Sequence, residues 1–295
     1  MFTRRMGAIG AAAALTFGLA ACGSDDATTD EGTAEPGSTS EETEGAAEGE
    51  GAYDSLRIGI KFDQPGLGLR EGSEYTGFDV EVAKYVAAQL GVDEGSIEWV
   101  EAPSAQRETL LETDQVDLIF ATYSITDARK ERVSFAGPYF IAGQGLLVRA
   151  DDDSITGKDT LDGKVLCSVT GSTPAQKIKD EYPDVQLQEY GTYSECLPAL
   201  LSGQIDAITT DDTILAGFAA QEQYAGKLKL AGEPFSEERY GVGVQKGNEL
   251  CQEVNAAIEA MIEDGAWEQA VEDTLGPADY TPGPGNPPTV DEDCA

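Results

Sequence analysis

The chain of 295 residues contains no histidine and few basic residues. The absence of histidine excludes Ser-His-Asp and Cys-His catalysis and every histidine-ligated metal site. The 19 Lys and Arg against 55 Asp and Glu give a formal net charge of -36, which would repel nucleic acid and an anionic membrane surface. The chain is 40% hydrophobic, which is enough for a core, and its length is typical of about two domains.

The N-terminal apolar run, Gly7–Gly18, is too short to cross a bilayer as a helix, and it follows a start that carries two arginines. This order predicts a signal peptide over residues 1–21. The run leads into Leu19-Ala20-Ala21-Cys22, which resembles a bacterial lipobox and implies diacylglycerol on Cys22. An ordinary signal peptide with a cysteine nearby is the alternative, and the choice between general and twin-arginine export stays open.

Residues 23–54 contain eleven acids, no Lys or Arg and almost nothing apolar. Such a segment buries too little surface to offset its ordering entropy, so residues 22–54 are predicted to form a lipidated, disordered acidic tether. At the other end, residues 277–295 contain five prolines. We expect a C-terminal tail without regular elements there.

Four cysteines remain beyond Cys22, and an even number in an exported protein suggests two disulfides. Three pairings are possible. Because the partners would be close in sequence, we favour Cys167 with Cys196 and Cys251 with Cys294, and buried free thiols are the alternative. No Cys-x-x-Cys spacing supports zinc, so neither a metal nor a cofactor is expected.

Strand and helix patterns alternate along the core, which predicts an α/β fold. In Ser55–Lys61 every second residue is apolar, as in a strand, and Asp79–Leu90 has apolar residues at helical spacing before a glycine. One internal echo indicates two similar lobes: Gln115 to Thr122 repeats at Gln204 to Asp211, 89 residues later. The alternative is that many α/β units share this pattern.

Ligands of open α/β sheets bind beyond the carboxyl ends of the strands, where this sequence has polar side chains. Thr122 and Ser124 follow one apolar strand and precede Arg129, whose guanidinium fork matches a carboxylate. Ser172 and Thr173 open a helix after a second strand, where free N–H groups bind carboxylates. The alternatives are a solvated Arg129 and a turn that Ser172 or Thr173 merely caps.

A third feature, Thr210-Asp211-Asp212, ends another strand. Asp211 could accept hydrogen bonds from an ammonium group, and Asp212 could cap the next helix. The alternative assigns both acids to capping.

Several stretches together resemble the extracytoplasmic solute-binding proteins of polar amino-acid ABC importers, family 3. They occur in family order over about 220 residues: Gly77-Phe78-Asp79-Val80, Ser124-Ile125-Thr126 with Arg129, Phe135-Ala136-Gly137-Pro138-Tyr139, Gly171-Ser172-Thr173, Gly203-Gln204-Ile205-Asp206-Ala207 and Tyr240-Gly241-Val242-Gly243. Within the family, the chain is most similar to actinobacterial glutamate-binding lipoproteins through Lys61-Phe62-Asp63-Gln64-Pro65-Gly66 and Ser104-Ala105-Gln106-Arg107-Glu108-Thr109.

The resemblance implies a two-lobed, type II periplasmic-binding-protein fold that closes about a two-segment hinge. Lobe 1 would comprise residues 55–146 plus 241–276, and lobe 2 residues 147–240. The crossovers would lie near Gly145–Leu147 and Tyr240–Gly241.

The resemblance also implies roles for the candidate residues. Arg129 and the N–H groups of Ser124 and Thr173 would hold a ligand α-carboxylate, and Thr122, Ser124 and Asp211 its ammonium. Lys61 and Arg107 match positions that hold the distal carboxylate in relatives that bind glutamate or aspartate. The alternative is that these two cations pair with surface acids.

We therefore expect a monomeric, exported lipoprotein at the extracytoplasmic face of the cell membrane. It would bind L-glutamate, with aspartate or glutamine weaker, and deliver it to an ABC permease without catalysis. A lipid-anchored sensor with the same pocket and a dehydratase-type enzyme on the same fold are the alternatives.

Overall fold

The computed structural model describes residues 53–294, so the predicted signal peptide, Cys22 and nearly all of the tether lie outside the described residues. Within residues 53–294 there are eight α-helices: α1 (Phe78–Gln89), α2 (Arg107–Glu112), α3 (Asp127–Lys130), α4 (Thr173–Glu181), α5 (Cys196–Ser202), α6 (Asp212–Ala220), α7 (Leu250–Glu263) and α8 (Ala266–Thr274). None of these helices is long and apolar enough to cross a membrane.

Thirteen strands accompany them in this part of the chain: β1 (Leu56–Ile60), β2 (Asp63–Gln64), β3 (Gly68–Glu71), β4 (Glu74–Thr76), β5 (Ile97–Glu101), β6 (Leu118–Phe120), β7 (Val133–Ala142), β8 (Gln144–Arg149), β9 (Val165–Val169), β10 (Gln186–Tyr190), β11 (Ala207–Asp211), β12 (Leu228–Leu230) and β13 (Glu238–Gln245). The predicted strand at Ser55–Lys61 and helix at Asp79–Leu90 correspond to β1 and α1 within one residue at each end.

The strands form two five-stranded sheets of the same design and a small sheet of β2, β3 and β4. The first sheet has the order β5-β1-β6-β13-β7, and the second has the order β10-β9-β11-β8-β12. In each sheet the first three strands are parallel, and the fourth runs antiparallel to both of its neighbours. β6 and β11, the strands of the internal echo, are the central strands of their sheets. The echo therefore marks two similar lobes, as predicted.

Two crossovers join the sheets. Between β7 and β8 the chain passes through Gly143, and residues 231–237 lead from β12 back to β13. The crossovers also bond to each other, because Phe235 donates its N–H to the Gln144 carbonyl at 2.8 Å. The positions differ from those predicted: Gly145–Leu147 lies inside β8, and Tyr240–Gly241 lies inside β13. Both strands have apolar interiors, over residues 145–148 and 240–244, and these include the predicted crossover positions, so hydropathy alone could not show where the chain changes sheets.

The lobes are in direct contact at two glycines. A Cβ on Gly217 of α6 would lie 2.1 Å from the Pro65 carbonyl oxygen, and one on Gly171 would lie 2.8 Å from the Ala105 Cα. Both distances are far below van der Waals contact, so only glycine allows the two backbones to approach this closely.

Both predicted disulfides are present, Cys167–Cys196 and Cys251–Cys294. The second fixes the proline-rich tail, in which the part that the structure describes, to residue 294, has the 3-10 turn Gly276–Ala278 as its one regular element. Along its course the tail contacts both lobes. The Tyr280 hydroxyl donates to Asp212 of α6 at 3.1 Å, and the Asn286 amide pairs with the N–H and carbonyl of Ile141 in β7.

Removing the tail disulfide should lower stability. We expect the Cys251→Ser, Cys294→Ser double variant to lose about 2–4 kcal/mol of unfolding free energy, because an untethered tail gains conformational entropy in the unfolded chain. Denaturant titration of the soluble fragment from Tyr53 measures this. The Cys167→Ser, Cys196→Ser variant is the control, and equal stability of wild type and tail variant would contradict the prediction.

Candidate functional site

The candidate residues meet where the central strands of the two sheets end. Lys61 follows β1, and Thr122 stands two residues after the end of β6. On the opposite lobe, Ser172 and Thr173 start α4 after β9, and Asp211 ends β11. This is the interlobe cleft, because the carboxyl ends of both sets of parallel strands face it.

Thr122 is held in a strained backbone conformation by a buried acid that sequence analysis did not identify. Its φ is +45°, an uncommon value for a residue with a Cβ. The Asp79 carboxylate accepts the Thr122 N–H at 3.0 Å and the Tyr139 hydroxyl at 2.8 Å. Burial raises the pKa of Asp79 to about 6 despite these bonds. Its sequence signal was weak, because Asp79 reads as an ordinary first-turn acid of α1.

Lys61 and Arg107 form a buried pair of cations. They are 5% and 2% exposed, and within residues 53–294 neither makes an ion pair. The Lys61 ammonium donates to Ser104 Oγ at 2.7 Å, and the Arg107 guanidinium lies 4.2 Å from the Tyr123 ring centre and donates to the Ala121 carbonyl at 3.0 Å. The alternative that they pair with surface acids is therefore wrong.

Desolvation and repulsion from a neighbouring arginine act on each cation. Burial, and then the nearby Arg107, lower the pKa of Lys61 to about 7. Burial, and then Arg129, lower the pKa of Arg107 to about 10. The protein pays to keep these charges out of water, and an anion placed between them would offset that cost.

Arg129 joins the lobes instead of pointing into solvent. Its guanidinium donates to the Ser124 carbonyl at 2.6 Å, to Thr173 Oγ1 at 2.9 Å and to the Gly171 carbonyl at 3.0 Å. It also lies 3.3 Å from the Glu108 carboxylate. The solvated-patch alternative is wrong for this residue. A ligand carboxylate held by Arg129 would replace the carbonyl contacts, which are weaker acceptors.

Ser172 caps helix α4. Its Oγ accepts the Ala175 N–H at 3.1 Å, as the capping alternative expected. Thr173 is the first residue of α4, so its N–H is one of the helix donors that lack an intrahelical partner. The Thr173 hydroxyl accepts from Arg129. The start of α4 therefore offers N–H donors to an anion beside Arg129.

Two buried carboxylates come from different sheets, Asp211 at the end of β11 and Glu238 at the start of β13. Asp211 is 3% exposed, and its Oδ2 accepts from the Tyr240 hydroxyl at 2.7 Å. Glu238 is also 3% exposed and accepts from Ser236 Oγ at 2.8 Å. Burial, and then Glu238, raise the pKa of Asp211 well above its usual value, and burial raises that of Glu238. Asp211 makes no helix-capping bond, so capping does not explain it, whereas Asp212 accepts the N–H groups of Thr213 and Gly143.

Unpaired buried polar atoms mark what this arrangement can bind. Within residues 53–294, Arg107 Nε and Gln64 Nε2 on lobe 1 are donors without a hydrogen-bond partner, and Asp211 Oδ1 on lobe 2 is an acceptor without one. Buried polar groups are normally paired, so these need a counterpart. A small molecule with an anionic and a cationic end would satisfy both sides. Sequence analysis assigned no role to Gln64 or Glu238.

The depressed pKa of Lys61 gives a stability prediction. Below about pH 7 the folded protein carries the full cost of the buried charge; between about pH 7 and 10.5 it releases the proton before the unfolded chain does, and the cost falls. Lys61→Met should therefore raise the melting temperature most at pH 6, by at least about 2–4 °C, and less at pH 9.

Thermal unfolding of the ligand-free soluble fragment at the two pH values measures this. The control is Lys227→Met at an exposed lysine. A gain for Lys61→Met that is the same at both pH values would contradict the assignment.

Comparisons with known proteins show the family and the fold of the chain. The sequence model of the "Bacterial extracellular solute-binding proteins, family 3" matches residues 56–277. The "Glutamate-binding protein GluB" of Corynebacterium efficiens is 50% identical over 234 residues, which are 75% of this chain and 79% of that protein. The "ABC transporter glutamine-binding protein GlnH" of Bacillus subtilis is 36% identical over 219 residues, 73% of this chain and 79% of the relative.

Among solved structures, an ancestral arginine-binding protein bound to glutamine superposes with a TM-score of 0.70 at 34% identity. The match covers 76% of this chain and 99% of the other. The predicted two-lobed, type II periplasmic-binding-protein fold is confirmed.

Proposed function

Because the chain belongs to the bacterial extracellular solute-binding proteins of family 3, we propose that it captures L-glutamate between its lobes and delivers it to an ABC permease. One observation carries the choice of ligand. Lys61 and Arg107 are buried cations with no acidic partner among residues 53–294, and they share the cleft with Asp211, whose Oδ1 is unpaired. An amino acid with a second carboxylate complements this set of charges.

The proposed roles follow the chemistry of each group. Arg129, with the N–H groups of Ser124 and Thr173, holds the α-carboxylate, and the capped start of α4 at Ser172 adds its dipole. Asp211 accepts from the α-ammonium, assisted by oxygens of Thr122 and Ser124. An ammonium beside Asp211 would also offset the cost that raises its pKa.

Lys61 and Arg107 hold the distal carboxylate in this proposal. A carboxylate would compensate both desolvated cations, whereas the neutral amide of glutamine would leave them uncompensated. The relatives include proteins named for glutamate and for glutamine, so the distal group is the point that needs a test. Aspartate keeps the charge but is one methylene shorter, so it should reach the pair less well.

Delivery requires a partner in the membrane, and the family is extracytoplasmic. We propose that Cys22 carries the lipid anchor and that the acidic segment to residue 54 lets the folded part reach its permease as a monomer. Copurification tests this: capture of a permease supports delivery, and capture of a signalling protein instead would favour a sensor.

We infer that the bound amino acid is not turned over. The two buried acids of the cleft already accept hydrogen bonds, Asp211 from Tyr240 and Glu238 from Ser236, and the chain has no histidine to serve as a base. Mass spectrometry of glutamate recovered after incubation checks this inference, and any product would overturn it.

The ligand prediction is tested by calorimetric titration of the soluble fragment from Tyr53. We expect glutamate to bind most tightly and glutamine at least about 10-fold more weakly, because the amide loses a charge-assisted hydrogen bond worth about 1.5–3 kcal/mol. Equal affinities for glutamate and glutamine would remove Lys61 and Arg107 from the proposed site.

The α-carboxylate prediction concerns Arg129. Arg129→Ala should weaken binding of every tested L-amino acid by at least about 100-fold, because two charge-assisted bonds are lost. Arg132→Ala is the matched control, since Arg132 lies nearby but pairs with Glu112 at the surface. Retained binding in Arg129→Ala would contradict this role.

A further inference from the structure

Asp79 is a buried acid to which the proposed function assigns no part. It lies in the first turn of α1 and is 0% exposed. Its two carboxylate oxygens have different partners: Oδ2 accepts the Thr122 N–H at 3.0 Å, and Oδ1 accepts the Tyr139 hydroxyl at 2.8 Å. The side chain is therefore fixed between α1, β7 and the turn that follows β6.

The peptide group between Ala121 and Thr122 connects Asp79 to Arg107. Its N–H donates to Asp79, and its carbonyl, the Ala121 oxygen, accepts from Arg107 at 3.0 Å. The Thr122 carbonyl accepts from the same Arg107 nitrogen at 3.4 Å, and within residues 53–294 these two carbonyls are the hydrogen-bond acceptors of Arg107. A carboxylate bonded to the N–H of a peptide group polarises its carbonyl, which strengthens the bond to Arg107. Asp79 therefore acts on Arg107 through one peptide group.

The turn at Thr122 needs this support because its backbone conformation is strained. The φ of +45° is unfavourable for a residue with a Cβ, and such a conformation persists only where the surroundings hold it. Asp79 holds it by accepting the Thr122 N–H. If that acceptor moved, Thr122 would relax toward negative φ, and the two carbonyls that fix Arg107 would turn with it.

We propose that Asp79 is a positioning residue, which directs Arg107 toward the distal carboxylate of the ligand by fixing the peptide group between Ala121 and Thr122. This inference rests on the proposed function and deepens it. The preference for glutamate over glutamine then depends on an acid that acts through Arg107.

The position of the Asp79 carboxylate matters for this role, whereas its charge does not help. Burial raises the pKa of Asp79, and the charges of Lys61 and Arg107 act against this rise, so the acid lies within their electrostatic reach. A negative charge there would by itself repel the distal carboxylate of a ligand. An effect of position and an effect of charge on the preference can therefore be told apart.

Two substitutions of Asp79 separate position from charge. Asp79→Asn removes the charge but keeps an oxygen that can accept the Thr122 N–H and an amide that can donate to the Tyr139 oxygen, so the ratio of glutamate to glutamine affinity should stay within about 3-fold of wild type. Asp79→Glu keeps the charge but moves the oxygens by one methylene. The turn and Arg107 are then displaced, and the ratio should fall by about 10-fold. Calorimetric titration of the soluble fragment from Tyr53 with both amino acids measures the ratios.

Asp117→Glu is the matched control. Asp117 precedes β6, at the end of the strand away from the cleft, and accepts the Arg57 N–H at 2.7 Å. Its substitution should leave the ratio unchanged even if it lowers the melting temperature. Should Asp79→Glu not fold, Asp79→Ser carries the same expectation, because its hydroxyl is too short to reach Thr122.

Three results would overturn the inference. Equal losses for glutamate and glutamine in Asp79→Glu or Asp79→Ser would show that Asp79 only supports the fold. An unchanged ratio in these variants would show that Arg107 does not depend on Asp79, and a lowered ratio in Asp79→Asn would show that the charge sets the preference. Failure of the proposed function is seen separately, in a wild-type protein that does not bind glutamate or does not prefer it to glutamine.

Discussion

The properties of the cleft depend on charged side chains that the fold itself buries away from water. Lys61, Arg107, Asp211 and Glu238 are almost fully buried. Burial shifts the pKa of each group in the direction that favours its neutral form. Within residues 53–294 none of these four side chains makes an ion pair. A zwitterion with an added carboxylate can reach both sets, and this is the physical basis of the proposed ligand.

The two lobes have sheets of the same arrangement, and this brings polar residues to the cleft from both lobes. In each lobe the central strand ends at the cleft. Thr122, which follows β6, and Asp211, which ends β11, therefore lie at the cleft on opposite lobes. Arg129 then connects the lobes through Ser124 and Thr173. Asp212, the residue after Asp211, accepts hydrogen bonds from Gly143 at a crossover and from Tyr280 of the tail. Two adjacent residues therefore connect the hinge and the tail to the candidate site.

Because of this arrangement, the net charge of -36 bears on the approach of a ligand from a distance and much less on binding inside the cleft. At long range such a charge opposes the approach of an anionic ligand, but salt screens it within about 8–10 Å. In the proposed complex the distances within the cleft are short and Lys61 and Arg107 are almost fully buried, so these two cations and Arg129 would act on the ligand more strongly than the distant acids do. Many of those acids are paired or exposed on the surface, as Glu112 is with Arg132.

The sequence by itself determined the α/β class and the polar residues at the strand ends, and it favoured the duplicated lobes and the disulfide pairing that the structure has. These depend on local periodicity and on spacing along the chain, which the sequence displays directly. Only the tertiary structure decided that the chain changes sheets just before β8 and just before β13, that Asp79 fixes Thr122, and that Gln64 and Glu238 are buried close to the candidate residues. The burial, the hydrogen-bond partners and the pKa of a side chain depend on which distant segments of the chain come together. The sequence around a single glutamine or glutamate does not show which segments these are.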